Sequence, residues 1–447
     1  MTPIAKILQQ LRTQQTTSRA LVEACLDRIA VPSGEGARVY TRVDVAAALK
    51  QADAADTQIR EGRTSQPLLG LPISIKDLFD VEGQVTTAGS VVLADAPPAA
   101  HDATIIQRLR SAGAVIVGRT NMTEFAYSGL GLNPHYGTPK NPWDRANARI
   151  PGGSSSGAAV SVTDGMAAAA IGTDTGGSVR IPAALCGLTG FKPTARRIPM
   201  DGTVPLARSL DSIGPIAPTI DCCARLDAVL AGQSYTPIAA KSLGSLRLGV
   251  LQGYVLDGLD DTVAYAFHGA LLHLKQSGAN IGPVHLPGLS RIPMSNQTAA
   301  AEAYAWHRRL LETSSNRYDP RVSERILHGA GMLAADFLDL MEARRELIAE
   351  AAEAFADFDA ILLPTTQWIA PPIADLENDH DAYFRANGAM LRNTSIFNFL
   401  DGCALSIPCH KQGEAPVGLM IAGTGGEDTE ILRAGAAIEA ALTPVRT

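Results

Sequence analysis

Apolar positions along the chain recur in two patterns. An apolar residue every three or four positions predicts an amphipathic helix, and a short continuous apolar run predicts a buried strand. The first pattern predicts helices over 4–31, 43–59, 104–112, 158–162, 262–277, 299–311, 334–355 and 428–442, with Ser18 capping a second segment of the first. The second predicts strands over 69–77, 114–118, 167–172, 246–251, 360–364, 404–408 and 417–421.

The order of these elements predicts the fold class. Strands alternate with helices, which is typical of an α/β fold with a parallel or mixed sheet and covering helices. No internal repeat or low-complexity linker is visible, so we expect the chain after residue 220 to return to the same sheet. We therefore predict one domain over 1–447, with a helical N-terminal segment (1–65), a core (66–225) and a C-terminal part (226–447) that completes the sheet and the substrate pocket.

Composition narrows the functional classes. Of 447 residues, 46% are hydrophobic and 19% are charged, which suits a large buried core rather than disorder. Lys and Arg number 38 against 45 Asp and Glu, and the net charge of −7 argues against direct nucleic-acid binding. No apolar run is long enough to span a membrane, and the N-terminus lacks the pattern of a signal peptide. We expect a cytoplasmic enzyme, for which a homodimer is the default assembly.

The metal-binding residue types show no ligand spacing. The six cysteines form no CxxC pair, and we expect reduced thiols. The nine histidines form no HExxH or HxH motif. The sequence therefore predicts neither a metal nor another cofactor.

Two loops rich in serine and glycine, 152–157 and 172–178, carry the candidate chemistry. The run Thr175-Gly176-Gly177-Ser178 is able to aim several backbone N–H groups at one point, which suits a phosphate or a developing oxyanion. A phosphate site is disfavoured because no lysine follows the glycines and no GxGxxG is present. The string Gly153-Ser154-Ser155-Ser156-Gly157 fits GxSxG, but it follows a proline-rich loop rather than the strand that a nucleophile elbow requires.

Lys76 interrupts an otherwise apolar strand. Such a lysine either extends its ammonium to solvent or is buried, and burial lowers its pKa. A neutral lysine amine is able to act as a general base. Its catalytic value depends on a serine partner, which the glycine loops offer.

Several ordered motifs strongly resemble the amidase signature family of serine amidohydrolases. Weaker similarity continues through 211–215 and 416–419, so the resemblance spans most of the chain. The matching stretches are Gly70-Leu71-Pro72-Ile73-Ser74-Ile75-Lys76-Asp77, 118–125, 137–142, Pro151-Gly152-Gly153-Ser154-Ser155-Ser156-Gly157, Gly172-Thr173-Asp174-Thr175-Gly176-Gly177-Ser178-Val179-Arg180-Ile181-Pro182-Ala183 and 187–194.

The resemblance implies a large mixed sheet covered by helices on both faces, and a Ser–cis-Ser–Lys triad. Matched motif by motif, Ser178 is the nucleophile, Ser154 the relay serine and Lys76 the base. The oxyanion hole falls on the N–H groups of Thr175, Gly176, Gly177 and Ser178. Ser155 takes a supporting hydrogen-bond position near the lysine, and we expect Asp174 and Arg180 to pair and hold the loop.

Substrate recognition is less defined. The resemblance places specificity in the C-terminal half and in loops near Tyr127, and Arg325 is either a carboxylate receptor or a solvated helix arginine. The candidate pocket residues are Met122, Tyr127, Tyr304, Trp306, Arg325, Thr394, Phe397 and Asn398.

Three functions stay open on this sequence. The first is a hydrolase of small amides or ureas, which needs only its substrate. The second is the glutaminase A subunit of a tRNA-dependent amidotransferase, which would need partner subunits. The third is a non-catalytic scaffold, which would not need Lys76, Ser154 and Ser178 together.

Overall fold

The protein forms an 11-stranded sheet to which all three parts of the chain contribute strands. The structure is a computed structural model that describes the backbone of residues 1–446 and the side chains of residues 1–443. The spatial order of the strands is β1-β3-β2-β4-β6-β5-β10-β11-β9-β7-β8. Their bounds are β1 Tyr40–Val43, β2 Pro72–Lys76, β3 Val115–Thr120, β4 Ala169–Asp174, β5 Thr189–Lys192, β6 Ser212–Ala217, β7 Arg247–Leu251, β8 Asn280–Val284, β9 Ala360–Pro364, β10 Cys403–Pro408 and β11 Gly418–Gly423.

Helices fill most of the connections between the strands. The α-helices are α1 Ile4–Arg12, α2 Ser18–Ala30, α3 Gly36–Val39, α4 Val45–Arg60, α5 Thr104–Ser111, α6 Ser156–Thr163, α7 Arg180–Leu185, α8 Ile220–Leu230, α9 Asp261–Gln276, α10 Met294–Ser314, α11 Pro320–Leu327, α12 Ala334–Phe355, α13 Ala374–Glu377, α14 His380–Leu391, α15 Ser395–Phe399 and α16 Asp428–Arg446. Short 3₁₀ turns lie at Glu124–Ala126, Arg145–Asn147, Leu243–Ser245, Tyr254–Leu256, Pro287–Arg291 and Ser315–Arg317.

The sheet is mixed, as predicted. Strand β2 runs parallel to β3 and β4, and β7 runs parallel to β8 and β9. The other pairs are antiparallel, including the last two strands, β10 and β11. The chain after residue 220 returns to the same sheet through β7 to β11, and the α/β class is confirmed.

Helices cover both faces of the sheet. On β11, Leu419 and Ile421 join one apolar cluster with residues of α8 and α16, whereas Met420 joins another with residues of α12 and α15. Every residue of β2, β4, β5, β6, β9, β10 and β11 is buried. This explains why the central strands are continuously apolar runs rather than alternating patterns.

The predicted helix 4–31 is two helices, α1 and α2. The break includes Gln14, whose φ of 54° is incompatible with a continuing right-handed helix. Thr17, not Ser18, caps α2 by accepting a hydrogen bond from the Ala20 N–H. The Ser18 hydroxyl instead donates to the carbonyl oxygen of Gly70 at 2.9 Å, which ties α2 to the turn before β2.

Four strands were not predicted from the hydrophobic pattern. Glycine or proline interrupts the apolar run in β5, β6 and β8, and both residue types are read from sequence as strand breakers. Strand β1 is four residues long, includes a charged arginine and lies at the edge of the sheet. Edge position and pairing are properties of the tertiary fold, so they are invisible to local periodicity.

Within the described residues, no helix has the length and apolar character needed to cross a membrane. All six cysteines belong to this part of the chain, and none forms a disulfide. The same residues contain no group of three or more His, Cys, Asp or Glu side chains arranged to hold a metal ion.

Candidate active site

The site lies at the carboxyl ends of two neighbouring parallel strands. Lys76 is the last residue of β2, and Asp174 is the last residue of the neighbouring strand β4. Because parallel strands end at the same edge, the loops that follow them meet there. The loop after β4 contains Ser178 and leads into α7.

Lys76 is completely buried and has two hydroxyl partners. Its Nζ lies 2.7 Å from Ser154 Oγ and 2.9 Å from Thr173 Oγ1. Burial lowers the pKa of Lys76 to about 7, although the negative charges of Asp174 and Asp211 oppose this shift. The amine is therefore substantially neutral near neutral pH and in contact with a serine hydroxyl.

The Ser154 loop lies between β2 and the Ser178 loop. The peptide bond between Gly153 and Ser154 is cis. The Ser154 carbonyl oxygen accepts from the Thr123 N–H at 3.1 Å, and the Ser155 N–H donates to the Ser178 carbonyl oxygen at 3.3 Å. The second of these hydrogen bonds holds the two serine-glycine loops against each other, and the first anchors the Ser154 loop to Thr123.

The Ser178 loop has free backbone donors. Within residues 1–446, no acceptor takes a hydrogen bond from the N–H groups of Gly176, Gly177 or Ser178. Gly177 has a φ of 138°, and a Cβ there would overlap the hydroxyl of Thr394. The Thr394 hydroxyl also donates to the Gly176 carbonyl oxygen at 2.5 Å, so Thr394 packs closely against the loop and fixes its position.

Asp174 and Arg180 form a buried ion pair directly beside this loop. Arg180 donates through Nε at 3.0 Å and through Nη2 at 2.8 Å to the two carboxylate oxygens, and both side chains are fully buried. Asn398 Nδ2 donates to Asp174 at 2.8 Å. Burial alone would raise the pKa of Asp174, but the charge and hydrogen bonds of Arg180 lower it to about 2. The pair therefore stays charged and fixes both ends of the loop.

Asp211 supports the loop from the other side. Its carboxylate accepts from the Thr175 hydroxyl at 2.6 Å and from the N–H groups of Leu206 at 3.1 Å and Ala207 at 3.2 Å. Burial raises the pKa of Asp211 to about 6, although these hydrogen bonds oppose the shift.

Two adjoining cavities lie next to the Ser178 loop, and Ser178 lines the inner one. The inner cavity has a volume of about 40 Å³ and is lined by Thr175, Gly176 and Ser178 among others. The outer cavity has a volume of about 600 Å³ and continues toward the surface. Both are lined by Tyr127, Ser295, Asn296, Arg325, Leu391 and Ser395, which form the boundary between them.

Comparisons with known proteins show the family of the chain. The family model named Amidase matches residues 20–432. The chain belongs to the amidase family. Members of this family are hydrolases that act on carbon–nitrogen bonds, and the chain shares that class of activity.

Relatives with different named activities cover almost the whole chain. The 2-amino-5-chloromuconic acid deaminase of Comamonas testosteroni is 35% identical over 98% of this chain and 96% of its own length. The A subunit of the glutamyl-tRNA(Gln) amidotransferase of Acidobacterium capsulatum is 34% identical over 97% of each chain. A solved amidase structure superposes with a TM-score of 0.90, 33% identity and coverage of 99% of this chain and 100% of that one.

Among the pocket residues predicted for this amidase, Tyr127 and Arg325 line both cavities. Met122 and Phe397 are fully buried in apolar clusters, and Tyr304 packs against the larger of these clusters. These three line neither cavity beside Ser178. Trp306 lies against Phe125 and His307 instead.

Two polar candidates of the same set lie behind the amidase site. Thr394 contacts Gly176, as described above, and Asn398 bridges the ion pair, since its Oδ1 also accepts from Arg180 Nη2 at 2.6 Å. Ser155 is linked to Lys76 through Thr173. Its hydroxyl donates to the Thr173 carbonyl oxygen at 3.4 Å, and the Thr173 hydroxyl contacts the lysine amine.

Sequence reasoning missed Thr173 and Asp211. Thr173 lies in the quoted motif, one residue before the end of β4. The parallel pairing of β4 with β2 brings Thr173 to Lys76. Asp211 begins the weaker motif 211–215, but no residue spacing connects it to Thr175, 36 positions earlier. Both residues lie inside motifs that carry the family resemblance, and this was the only signal in the sequence. Their contacts with Lys76 and Thr175 depend on the three-dimensional fold.

Proposed function

We propose that the protein is an amidohydrolase that cleaves a small linear amide or urea-type substrate through Ser178, Ser154 and Lys76. The product is ammonia or an amine, released through an acyl-enzyme on Ser178. Support comes from the buried Lys76 amine, 2.7 Å from the Ser154 hydroxyl, beside a loop whose Ser178 lines a cavity. This observation carries the proposal, because a buried amine in contact with serine is a base with a proton donor in place.

The proposed first step transfers two protons and forms one bond. Neutral Lys76 takes the proton of Ser154 as Ser154 takes that of Ser178, and Ser178 Oγ attacks the amide carbon. The N–H groups of Thr175, Gly176, Gly177 and Ser178 stabilise the resulting oxyanion. Loss of one such donor typically costs about 3 kcal/mol of transition-state stabilisation, so the support of the loop matters as much as the triad.

The remaining steps restore the enzyme. The C–N bond breaks as the proton held by Lys76 returns through Ser154 to the leaving nitrogen. Water then attacks the carbonyl carbon of the ester on Ser178, with the same groups as base and acid. Ser178 regains its proton, and a carboxylic acid leaves, or a carbamic acid where the substrate is of the urea type. Each proton transfer in these steps is assigned to Lys76 and Ser154.

Ammonia release from a panel of primary amides, ureas and aryl amides tests the proposal. We expect Ser178→Ala to lower kcat by at least about 10³-fold, since the covalent step is lost. A fluorophosphonate should label Ser178 in the wild-type protein and leave the variant unlabelled.

Ser156→Ala is the matched control. Ser156 belongs to the same serine run, but its hydroxyl faces the Asn121 carbonyl oxygen at 3.5 Å rather than the lysine. This variant should keep most of the activity. Full turnover by a correctly folded Ser178→Ala protein would exclude the proposed nucleophile, and labelling without turnover of any amide would point to a different acyl donor.

A second candidate function is the glutaminase A subunit of a tRNA-dependent amidotransferase, motivated by the relative that has this name. The lining of the outer cavity argues against it: within the described residues, neither cavity is lined by an aspartate or glutamate that would receive the α-ammonium of glutamine. Glutamine turnover that appears only with amidotransferase partner subunits would favour this second function.

A further inference from the structure

The outer cavity has cationic groups without carboxylate partners. The guanidinium groups of Arg325 and Arg392 line it, and no aspartate or glutamate does so among the described residues. Two charged residues of α11 have partners of their own, since Arg321 lies 2.8 Å from Asp319 and Glu324 lies 2.9 Å from His380. The cavity therefore concentrates positive charge in a chain whose net charge is −7.

Arg325 already has contacts within the protein. Its Nη1 donates to the Tyr127 carbonyl oxygen at 2.6 Å, and its guanidinium stacks on the Tyr127 ring at 4.2 Å. These contacts hold the loop at the boundary between the cavities. Arg325 therefore contributes positive charge to the cavity, but one of its guanidinium N–H donors is already used by Tyr127.

Arg392 is held in place and has more donors available. Its guanidinium lies over the ring of Tyr254 at 4.9 Å, and its one hydrogen bond within the described residues is a long one, 3.4 Å from Nη1 to the Asp257 carbonyl oxygen. It directly follows α14, and Leu391 before it lines both cavities. The half-buried guanidinium is thus a positioned group whose remaining N–H donors are open to a ligand.

The backbone around Arg392 is connected to the nucleophile loop. Asn393 Nδ2 donates to the carbonyl oxygens of Val255 at 3.1 Å and Pro364 at 2.9 Å, and Thr394 contacts Gly176. Arg392 is therefore held at a fixed place relative to Ser178, as a specificity residue must be.

We propose that Arg392 is a specificity-determining residue, which binds a carboxylate at the end of the substrate remote from the amide. The substrate class is then an amide that carries an anionic group, such as the monoamide of a dicarboxylic acid. This inference rests on the proposed amidohydrolase function and deepens it. A guanidinium fork matches a carboxylate in a bidentate arrangement, which a neutral or cationic tail does not reproduce.

The volumes of the cavities agree with an extended substrate. The inner cavity of about 40 Å³ accommodates little beyond the reacting amide, whereas the outer cavity of about 600 Å³ has room for the rest of the molecule. The amide then faces Ser178, and the tail passes Arg325 on the way to Arg392.

The kinetic test compares two substrate series of equal chain length. One consists of monoamides of linear dicarboxylic acids, and the other of the corresponding neutral monoamides with a terminal methyl ester. We expect wild-type kcat/KM to favour the anionic series, and Arg392→Gln to lower kcat/KM for that series by about 10-fold or more through KM. The neutral series should change by less than about threefold.

Arg385→Gln is the matched control. Arg385 is an exposed arginine on α14, the helix that Arg392 directly follows, and it lines neither cavity. This variant removes the same charge from a neighbouring position outside the cavities, so it should leave the preference unchanged. An equal loss for both series in Arg392→Gln, or a wild-type preference for the neutral series, would overturn the carboxylate site.

A binding measurement separates this inference from the proposed function. Calorimetry with the dicarboxylic acid monoamides uses Ser178→Ala, with and without Arg392→Gln. Binding that depends on Arg392, without turnover in the wild-type protein, would support the anion site and reject the amidohydrolase. Turnover without such dependence would do the reverse, and absence of both would reject both.

Discussion

The inner site and the outer cavity use cationic side chains in opposite ways. Around Ser178, Lys76 and Arg180 are fully buried and have partners within the protein, a pair of hydroxyls in one case and a carboxylate and an amide in the other. In the outer cavity, Arg392 is only half-buried and has a ring and one long hydrogen bond as its contacts. Burial favours the neutral form of Lys76 and Asp174 balances the charge of Arg180, whereas the charge of Arg392 is available to a ligand.

This difference separates chemistry from recognition along the chain. The inner groups come from β2, β4, the loop before α6 and the start of α7, within the core 66–225. The outer groups come mainly from elements between Tyr254 and Ser395 in the C-terminal part. Hydrolysis of the C–N bond and choice of the substrate are therefore expected to respond to different mutations, which is what the following experiments examine.

The largest expected effect is loss of the base. Lys76→Met keeps an unbranched side chain of similar length but removes the amine, so we expect kcat for the best substrate to fall by about 10³-fold or more. Thermal unfolding should change little or shift upward, because a buried amine is replaced by an apolar group.

Lys192→Met is the corresponding control. Lys192 is also fully buried, and burial lowers its pKa to about 8, but its Nζ donates to the backbone carbonyl oxygens of Pro193 at 3.0 Å and Gly402 at 2.5 Å. This variant should lose about 1–3 kcal/mol of unfolding free energy while kcat stays within a few-fold. The reverse pattern, with rate lost at Lys192 and kept at Lys76, would mean that the wrong lysine has been assigned as base.

The inner site was largely predictable from sequence because its residues lie in short runs. Lys76, Ser154 and Ser178 each lie within a glycine-rich or apolar motif whose order along the chain is informative. The alternation of strands and helices predicted a parallel or mixed sheet, and the resemblance to the amidase signature family implied the mixed one that is observed. Thr173 was missed because its function comes from pairing between β4 and β2, which periodicity does not specify.

The outer cavity was much less predictable for a physical reason. Its lining residues come from loops and from several helices spread over more than 250 positions, and no local pattern distinguishes them from packing residues. Phe397 and Met122 have the apolar character of pocket residues, yet they are fully buried in the core. Arg392 lies one residue beyond the end of α14, where its sequence context is that of an ordinary helix terminus.

The second prediction compares the two arginines directly. Arg180→Leu leaves the Asp174 carboxylate buried without its countercharge, so we expect a loss of about 3–5 kcal/mol in the free energy of unfolding. Arg392→Leu removes a ring contact and a long hydrogen bond, and should cost about 1 kcal/mol or less. Urea denaturation of both variants at neutral pH measures the difference. Equal losses would contradict the distinction between a structural arginine and one reserved for a ligand.

The smallest effect expected is a shift in pH dependence. Since the base must be neutral, kcat/KM of the wild-type protein should rise with pH through the pKa of Lys76, about 7. The negative charge of Asp211 raises that pKa, so Asp211→Asn should move the rising limb to lower pH, while an asparagine oxygen still accepts from the Thr175 hydroxyl.

The control for this shift is Asp227→Asn, because burial also raises the pKa of Asp227 to about 6, whereas its partner is Arg197 at 2.9 Å rather than the loop of Ser178. This variant should lose stability without moving the limb. A limb that stays in place or moves upward in Asp211→Asn would show that the carboxylate does not act electrostatically on Lys76. The inner site would then owe its proton affinity to burial and its two hydroxyl contacts alone, and Asp211 would act only as a support for the loop.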